Sequence, residues 1–263
     1  MRPNRLRQIW AEGGVAYGCW LSIPSSFSAE VLAHQGFDWI CVDTQHGVID
    51  YQTSVTMLQA VSATETVPLV RVPWNEPGII MKSLDAGAYG VIVPMVSSRA
   101  EAEAAAAACR YPPRGIRSFG PTRAAYYAGR DYARHADDEV LCIVMIETAE
   151  ALANLDEILS VPGVDAAYIG PSDLSLALGL PPRPDHDDER FVEAKRRIVE
   201  ACRRHGVVPG IHANAALAAK HAADGFRFIL ISSDVAALAA GAAGDLAAAA
   251  PGRRDPGAQP AYR

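Results

Sequence analysis

Eight short apolar runs recur along the chain, and the stretches between them carry the punctuation of helices. The runs are VAYGCWLSI from Val15, DWICVDT from Asp38, PLVRVP from Pro68, GVIVPMV from Gly90, LCIVMIE from Leu141, DAAYIGP from Asp165, VVPGIHA from Val207 and FRFILISS from Phe226. Runs this short and this continuously apolar suit strands covered on both faces, as in a parallel sheet. All but the first lead into amphipathic stretches, and the pattern predicts helices over 28–35, 51–63, 77–86, 98–109, 149–159, 187–205, 215–223 and 235–249. Asn75 before Glu76-Pro77, and Ser97-Ser98 before the acidic turn of Glu101 and Glu103, read as helix starts. Gly36, Gly87, Gly206 and Gly225 sit where helices should stop. Eight strand-helix pairs in about 250 residues match a (β/α)8 TIM barrel, which right-handed crossovers would close. The runner-up is a doubly wound open sheet. It would want a Gly-rich dinucleotide turn after the first strand, where this chain has SIPSSFSAE and no G-x-G-x-x-G.

The chain has 263 residues, half of them hydrophobic, which suffices for one large domain with a buried core. No interior linker divides it, so a single barrel with a C-terminal helix is expected over 1–250. The final stretch 251–263, rich in Pro, Gly and charge, reads as a disordered tail. A net charge of −6, spread along the chain, argues against a nucleic-acid or membrane partner. The N-terminus lacks the apolar stretch of a signal peptide, and no run reaches the roughly 18 apolar residues of a membrane span. The five cysteines have no ligand spacing, and the three in apolar strand-like runs read as small core residues. A soluble, unexported protein of the reducing cytoplasm is expected.

Chemistry in such a barrel belongs at the C-terminal strand ends. Those ends are polar: Ser22; Asp43, Gln45 and His46; Arg71; Glu147; Ser172 and Asp173; His212; Ser232 and Asp234. Glu147 and Asp173 each close a buried run, and as oxygen ligands without a Cys or His set they favour magnesium, manganese or a similarly hard ion. Structural hydrogen bonding to nearby loops is the alternative. Such an ion would keep sites open for the carboxylate and ketone oxygens of a 2-oxo acid. Arg71 lies inside the apolar LVRVP and must meet an anion, either a structural partner such as Asp43 or the developing enolate oxygen of a substrate. His46, in a loop two residues past its strand, is a candidate general base. His212 reads as a supporting or structural residue. The only lysines, Lys82, Lys195 and Lys220, fall in predicted helices, leaving Schiff-base chemistry without a nucleophile.

One stretch breaks the rhythm. RYPPRGIRSFGPTRAAYYAGRDYARHADDE, between the fourth helix and the fifth strand, interleaves arginines with tyrosines. It reads as a surface segment, a subunit contact or a substrate lid, and its part 114–131 is a candidate for selecting substrate chain length.

At these residues the sequence resembles the HpcH/HpaI family of class II pyruvate aldolases. The resemblance runs from about 17 to 246 and rests on GCWLSIPSSFSAEVLAHQGFDWICVDTQHG, PLVRVPWNEP, GVIVPMVSS with RYPPRGIRS, VMIET and GVDAAYIGPSDLSLALG. It implies a divalent cation (Mg2+, Mn2+ or Co2+) and reversible cleavage of 4-hydroxy-2-oxo acids into pyruvate or hydroxypyruvate plus an aldehyde, by a metal-dependent aldehyde-lyase. Carried over by residue, Glu147 and Asp173 bind the metal, His46 is the base, Arg71 stabilises the enolate, and the Ser172 backbone amide holds the substrate carboxylate. Asp85 matches a residue that raises the basicity of the histidine; lying at the end of its helix, on the face opposite the site, it is expected to serve a neighbouring subunit. The family also suggests a hexamer, with the Ala-rich final helix as an interface element. Two departures stand out: Gln45 where the family usually has Glu, and Met145 at a substrate-contacting position that commonly holds Gln. A thioether cannot replace an amide donor. An oxaloacetate-type decarboxylase on the same site and a catalytically silent 2-oxo acid binder are the rival readings.

Overall fold

A computed structural model describes residues 1–250; the stretch expected to be a disordered tail lies outside the described residues. Eight parallel strands form a closed barrel in sequence order. They are β1 (Ala16–Leu21), β2 (Trp39–Asp43), β3 (Val67–Arg71), β4 (Gly90–Val93), β5 (Leu141–Met145), β6 (Ala166–Ile169), β7 (Val208–Ile211) and β8 (Phe228–Ser233). Every predicted run holds one of them. Closure comes from β1 pairing with β8, Ala16 opposite Phe228, with a register shift between Gly18 and Cys19.

The barrel interior is aromatic: Trp20, Trp39, Tyr168 and Phe228 pack on one another with ring centroids 4.2–6.4 Å apart. Gly18 is required there, because a Cβ would lie 2.0 Å from the Trp39 ring. All five cysteines are free and buried, the three in strands as expected and the two in helices as well. No helix among the described residues is long and apolar enough to cross a membrane.

The predicted helices appear with adjusted ends and two internal breaks. The stretch 149–159 divides at Asn154 into Ala149–Ala153 and Leu155–Leu159, and the Asn154 side chain donates to the Ser97 carbonyl at 2.9 Å, tying this break to the loop after β4. The stretch 215–223 begins as a 3-10 turn, Ala215–Leu217, capped by Asn214. The helix at 77 is capped by the Glu76 carboxylate, not Asn75, which reaches Glu101 instead. Ser98 and Glu101 form a reciprocal capping box. Gly36, Gly87, Gly206 and Gly225 all take positive φ.

Four helices have no sequence forecast: Arg5–Ala11, Ala124–Ala128, Tyr132–Glu139 and Pro171–Ala177. The first, capped by the buried Asn4, joins the middle pair at the N-terminal end of the barrel, where Asn4 Nδ2 donates to the Glu139 carbonyl at 2.8 Å.

That placement corrects the reading of 110–139 as a lid over its own site. The segment packs at the N-terminal strand ends, opposite the strand termini that carry the polar residues. Arg110 is buried and pairs at 2.7 Å with Asp165, which stands just before β6 and also pairs with Arg7. Arg123 donates to the Ala86 and Leu58 carbonyls and to Ser62 Oγ, satisfying the C-terminal ends of two helices. The arginines hold the chain to the barrel floor, so 114–131 cannot select substrates in its own barrel.

Candidate active site

The last residues of β2 and β3 are paired in register, Asp43 opposite Arg71, and their side chains meet in a two-pronged ion pair. Arg71 Nε lies 2.9 Å from Asp43 Oδ1, and Nη2 lies 2.6 Å from Oδ2. Asp43 is buried, and its carboxyl is held below the ordinary range: burial pushes it up, but the guanidinium outweighs this. The anion that Arg71 required is therefore Asp43, the structural partner. Nη1 has no hydrogen-bond partner among the described residues, and the guanidinium carbon sits 4.9 Å above the Trp20 ring. Asp43 Oδ1 also accepts the backbone N–H groups of Gln45 and His46, which shapes the following loop. The His46 ring is exposed, with no hydrogen bond to any described residue.

Glu147 stands two residues beyond β5 with only 3% of its surface exposed. Its Oε1 accepts the Met95 N–H at 2.9 Å. Met95 holds a left-handed conformation, φ 58°, unusual for a side chain of its size, and this conformation accompanies the donation of its N–H to the carboxylate. Oε2 faces Gly170, where a Cβ would lie 2.3 Å away; only glycine leaves room for the carboxylate. Burial, reinforced by the negative charge of Asp173, pushes the Glu147 carboxyl up to about 7, against the smaller opposing effects of the Met95 N–H and Arg71.

Asp173 departs from expectation. It lies in the first turn of Pro171–Ala177 and is exposed, so the structure places this acid on a helix at the barrel rim and not on a buried strand end. Gly170 caps that helix without a side chain and Pro171 has no N–H, which leaves the Ser172 and Asp173 amides without acceptors among the described residues. Met145 ends β5, buried, with its methyl group against Gly170 beside Glu147.

The mouth of the barrel thus gathers His46, Arg71, Met145, Glu147, Ser172 and Asp173. It does not gather Asp85. That residue ends the helix Pro77–Asp85 at the opposite face, where its carboxylate pairs at 2.7 Å with the buried Arg117. Burial raises the Asp85 carboxyl despite this guanidinium. Arg117 also donates to Tyr132 Oη, at 3.0 Å. Trp20 and Met95 belong to the site and escaped the sequence reading. Trp20 looked like an ordinary strand residue, and nothing in a sequence marks a methionine for left-handed backbone. Asp234, one of the polar strand ends, is structural: its carboxylate accepts the N–H groups of Ser22 and Ile23.

A pair of acids, one buried and repelled by the other, is an incomplete charge arrangement that a divalent cation would complete. No group of three or more potential ligands exists among the described residues, so the protein would supply two carboxylates and leave the other positions to water or substrate.

Residues 16–240 match the profile of the HpcH/HpaI aldolase/citrate lyase family. The chain belongs to that family. This HpcH/HpaI chain is 43% identical over 240 residues to a hydroxypyruvate/pyruvate aldolase of Rhizorhabdus wittichii, covering 91% of this chain and 96% of the relative. It is 40% identical over 245 residues to a 4-hydroxy-2-oxo-heptane-1,7-dioate aldolase of Salmonella dublin, covering 91% and 92%. Its fold superimposes with a TM-score of 0.86 on a crystal structure of a family protein from Burkholderia cenocepacia, 34% identical, covering 94% of this chain and 99% of that one.

Proposed function

We propose that this HpcH/HpaI enzyme is a lyase that reversibly cleaves 4-hydroxy-2-oxo acids to pyruvate or hydroxypyruvate and an aldehyde, using a divalent cation held by Glu147 and Asp173. The observation that carries the metal assignment is the buried Glu147 beside Asp173, an acid pair to which no cationic side chain among the described residues is bonded. Magnesium, manganese or cobalt would serve as the Lewis acid for the substrate ketone. The free amides of Ser172 and Asp173 hold the substrate carboxylate. Arg71 Nη1, braced by Asp43 and Trp20, shares the charge of the developing enolate oxygen. His46 takes the proton from the 4-hydroxyl as the C3–C4 bond breaks, the aldehyde leaves, and the enolate is then protonated at C3. Met145 lines the site where an amide donor would otherwise stand, which separates the donor preference of this enzyme from that of relatives carrying Gln.

The reading extends to a homohexamer in the cytoplasm. Asp85 cannot reach His46 of its own barrel, so it serves the histidine of a neighbouring subunit. Apolar residues support such contacts on both faces: Phe27, Val48 and Trp74 are exposed around the mouth, Ile116 and Phe119 on the opposite side. The helix Asp234–Ala249 buries only Asp234 within one chain. Aldol cleavage of a 4-hydroxy-2-oxo acid, followed by pyruvate release with and without EDTA, tests the metal reading. Glu147→Ala and Asp173→Ala should each abolish EDTA-sensitive release; retained activity in either would remove its ligand.

A further inference from the structure

His212 follows β7 directly, and its backbone N–H donates to the Ile169 carbonyl at 3.0 Å, which fixes its place on the rim. The ring meets the Trp20 indole edge-on at 5.2 Å and the Tyr168 ring at 6.4 Å. The Trp20 ring is the one over which the Arg71 guanidinium lies. Neither ring nitrogen has a hydrogen-bond partner among the described residues. Burial pushes the imidazole pKa down to about 4, helped by the positive Arg71 and opposed by the negative Asp43, the two charged groups that face it. The ring is therefore neutral near neutral pH and offers one donor and one acceptor. The residue is only half-buried and its nitrogens are not among the enclosed unpaired atoms, so they meet solvent at the mouth and are open to a bound molecule.

We propose that His212 is a specificity residue that hydrogen-bonds a hydroxyl on the carbon next to a reacting carbonyl, so that the site favours α-hydroxylated substrates over their deoxy counterparts. This rests on the aldolase reading above and extends it to substrate choice. The hydroxyl is matched to a neutral imidazole because it donates to one nitrogen tautomer and accepts from the other. Two substrates carry it: hydroxypyruvate as the nucleophilic partner, and an α-hydroxy aldehyde such as glycolaldehyde as the electrophile. Desolvating the imidazole against a deoxy substrate leaves its nitrogens unpaired, and this penalty generates the discrimination.

The test measures kcat/KM of the metal-loaded enzyme for four pairs, pyruvate or hydroxypyruvate with propanal or glycolaldehyde. His212→Phe should lower the ratio of hydroxylated to deoxy substrate at least tenfold, and His212→Gln, which keeps a donor and an acceptor, should hold that ratio within about threefold of the parent. A loss confined to hydroxypyruvate assigns the hydroxyl to the nucleophile; one confined to glycolaldehyde assigns it to the electrophile. Equal change across all four pairs, or no change, overturns the inference while leaving the aldolase reading intact. Absence of turnover by the parent enzyme with every pair overturns both. His212→Leu provides a second apolar replacement of smaller volume should the phenylalanine variant fail to fold.

Discussion

The ion pair of Asp43 and Arg71 divides the work of a single guanidinium. Nε and Nη2 are spent on Asp43, and Nη1, without an acceptor among the described residues, is the nitrogen proposed to meet the enolate oxygen. A lysine can neutralise Asp43 or reach a substrate oxygen, but one ammonium does not reproduce the fork. Arg71→Lys should therefore lose at least a hundredfold in kcat, nearly as much as Arg71→Ala, while keeping most of the stability. The alanine variant should in addition lose about 3 kcal/mol in urea unfolding, because it leaves a buried carboxylate unpaired. Glu147 gives the complementary case. Its folded-state pKa is raised from 4.5 to about 7 by burial and Asp173, so the metal-free protein binds a proton there more tightly than the unfolded chain does. The stabilising contribution is complete below about 4.5 and is lost as pH rises toward 7, on the order of 3 kcal/mol at most. In EDTA, unfolding measurements should show stability falling across that window, and Glu147→Gln should flatten the slope and stabilise the metal-free protein at pH 7. Apparent cation affinity should weaken as pH falls below 7.

At the scale of elements, the site depends on how β5 and β6 deliver their C-terminal loops. The two strands pair side by side, Met145 opposite Tyr168. Glu147 follows one, and the short helix Pro171–Ala177 follows the other, with Gly170 between. A Cβ at 170 would stand 2.3 Å from Glu147 Oε2 and 3.1 Å from the Met145 methyl, so Gly170→Ala should displace the carboxylate while asking only a small shift of the flexible methionine end. Cation affinity measured by calorimetry should drop at least tenfold, with circular dichroism unchanged; wild-type affinity would show that Glu147 has another way to sit. Sequence periodicity located every strand, because runs covered on both faces have to be apolar. It missed Pro171–Ala177, since PSDLSLA is too short to show a period and its start lacks a capping side chain. The missing cap is also what frees the amides assigned to the substrate carboxylate.

For the whole molecule, a single chain presents the proposed catalytic base on one face of the barrel and Asp85 on the other. Asp85 engages Arg117 within its own chain, which leaves a carboxylate held in place at the barrel floor with 24% of its side chain exposed. If a neighbour's floor covers the mouth, subunits carrying His46→Ala and subunits carrying Asp85→Ala should regain activity when unfolded, mixed and refolded together. Neither variant alone should recover. Mixtures as inactive as the separate variants, in assemblies verified to contain both, would place Asp85 outside the mechanism. The floor segment 110–139 has the same logic: within one chain it is scaffold, and only an adjoining subunit could bring Phe119 or Ile116 near a site.

The sequence by itself determined the barrel, the strand ends and the family, because alternating buried strands and amphipathic helices leave few ways to cover both faces of a sheet, and because the polar residues at strand termini are conspicuous against apolar runs. It could name Arg71 as needing an anion without choosing between Asp43 and substrate, since only the register of β2 against β3 decides what lies within hydrogen-bond reach. Tertiary structure alone decided that Asp173 stands exposed on a helix, that Met95 turns left-handed beside Glu147, that the arginine-rich excursion belongs to the floor, and that His212 faces Trp20 with neither nitrogen bonded to a described residue. Each of these depends on distances between residues far apart in the chain, which local periodicity does not encode.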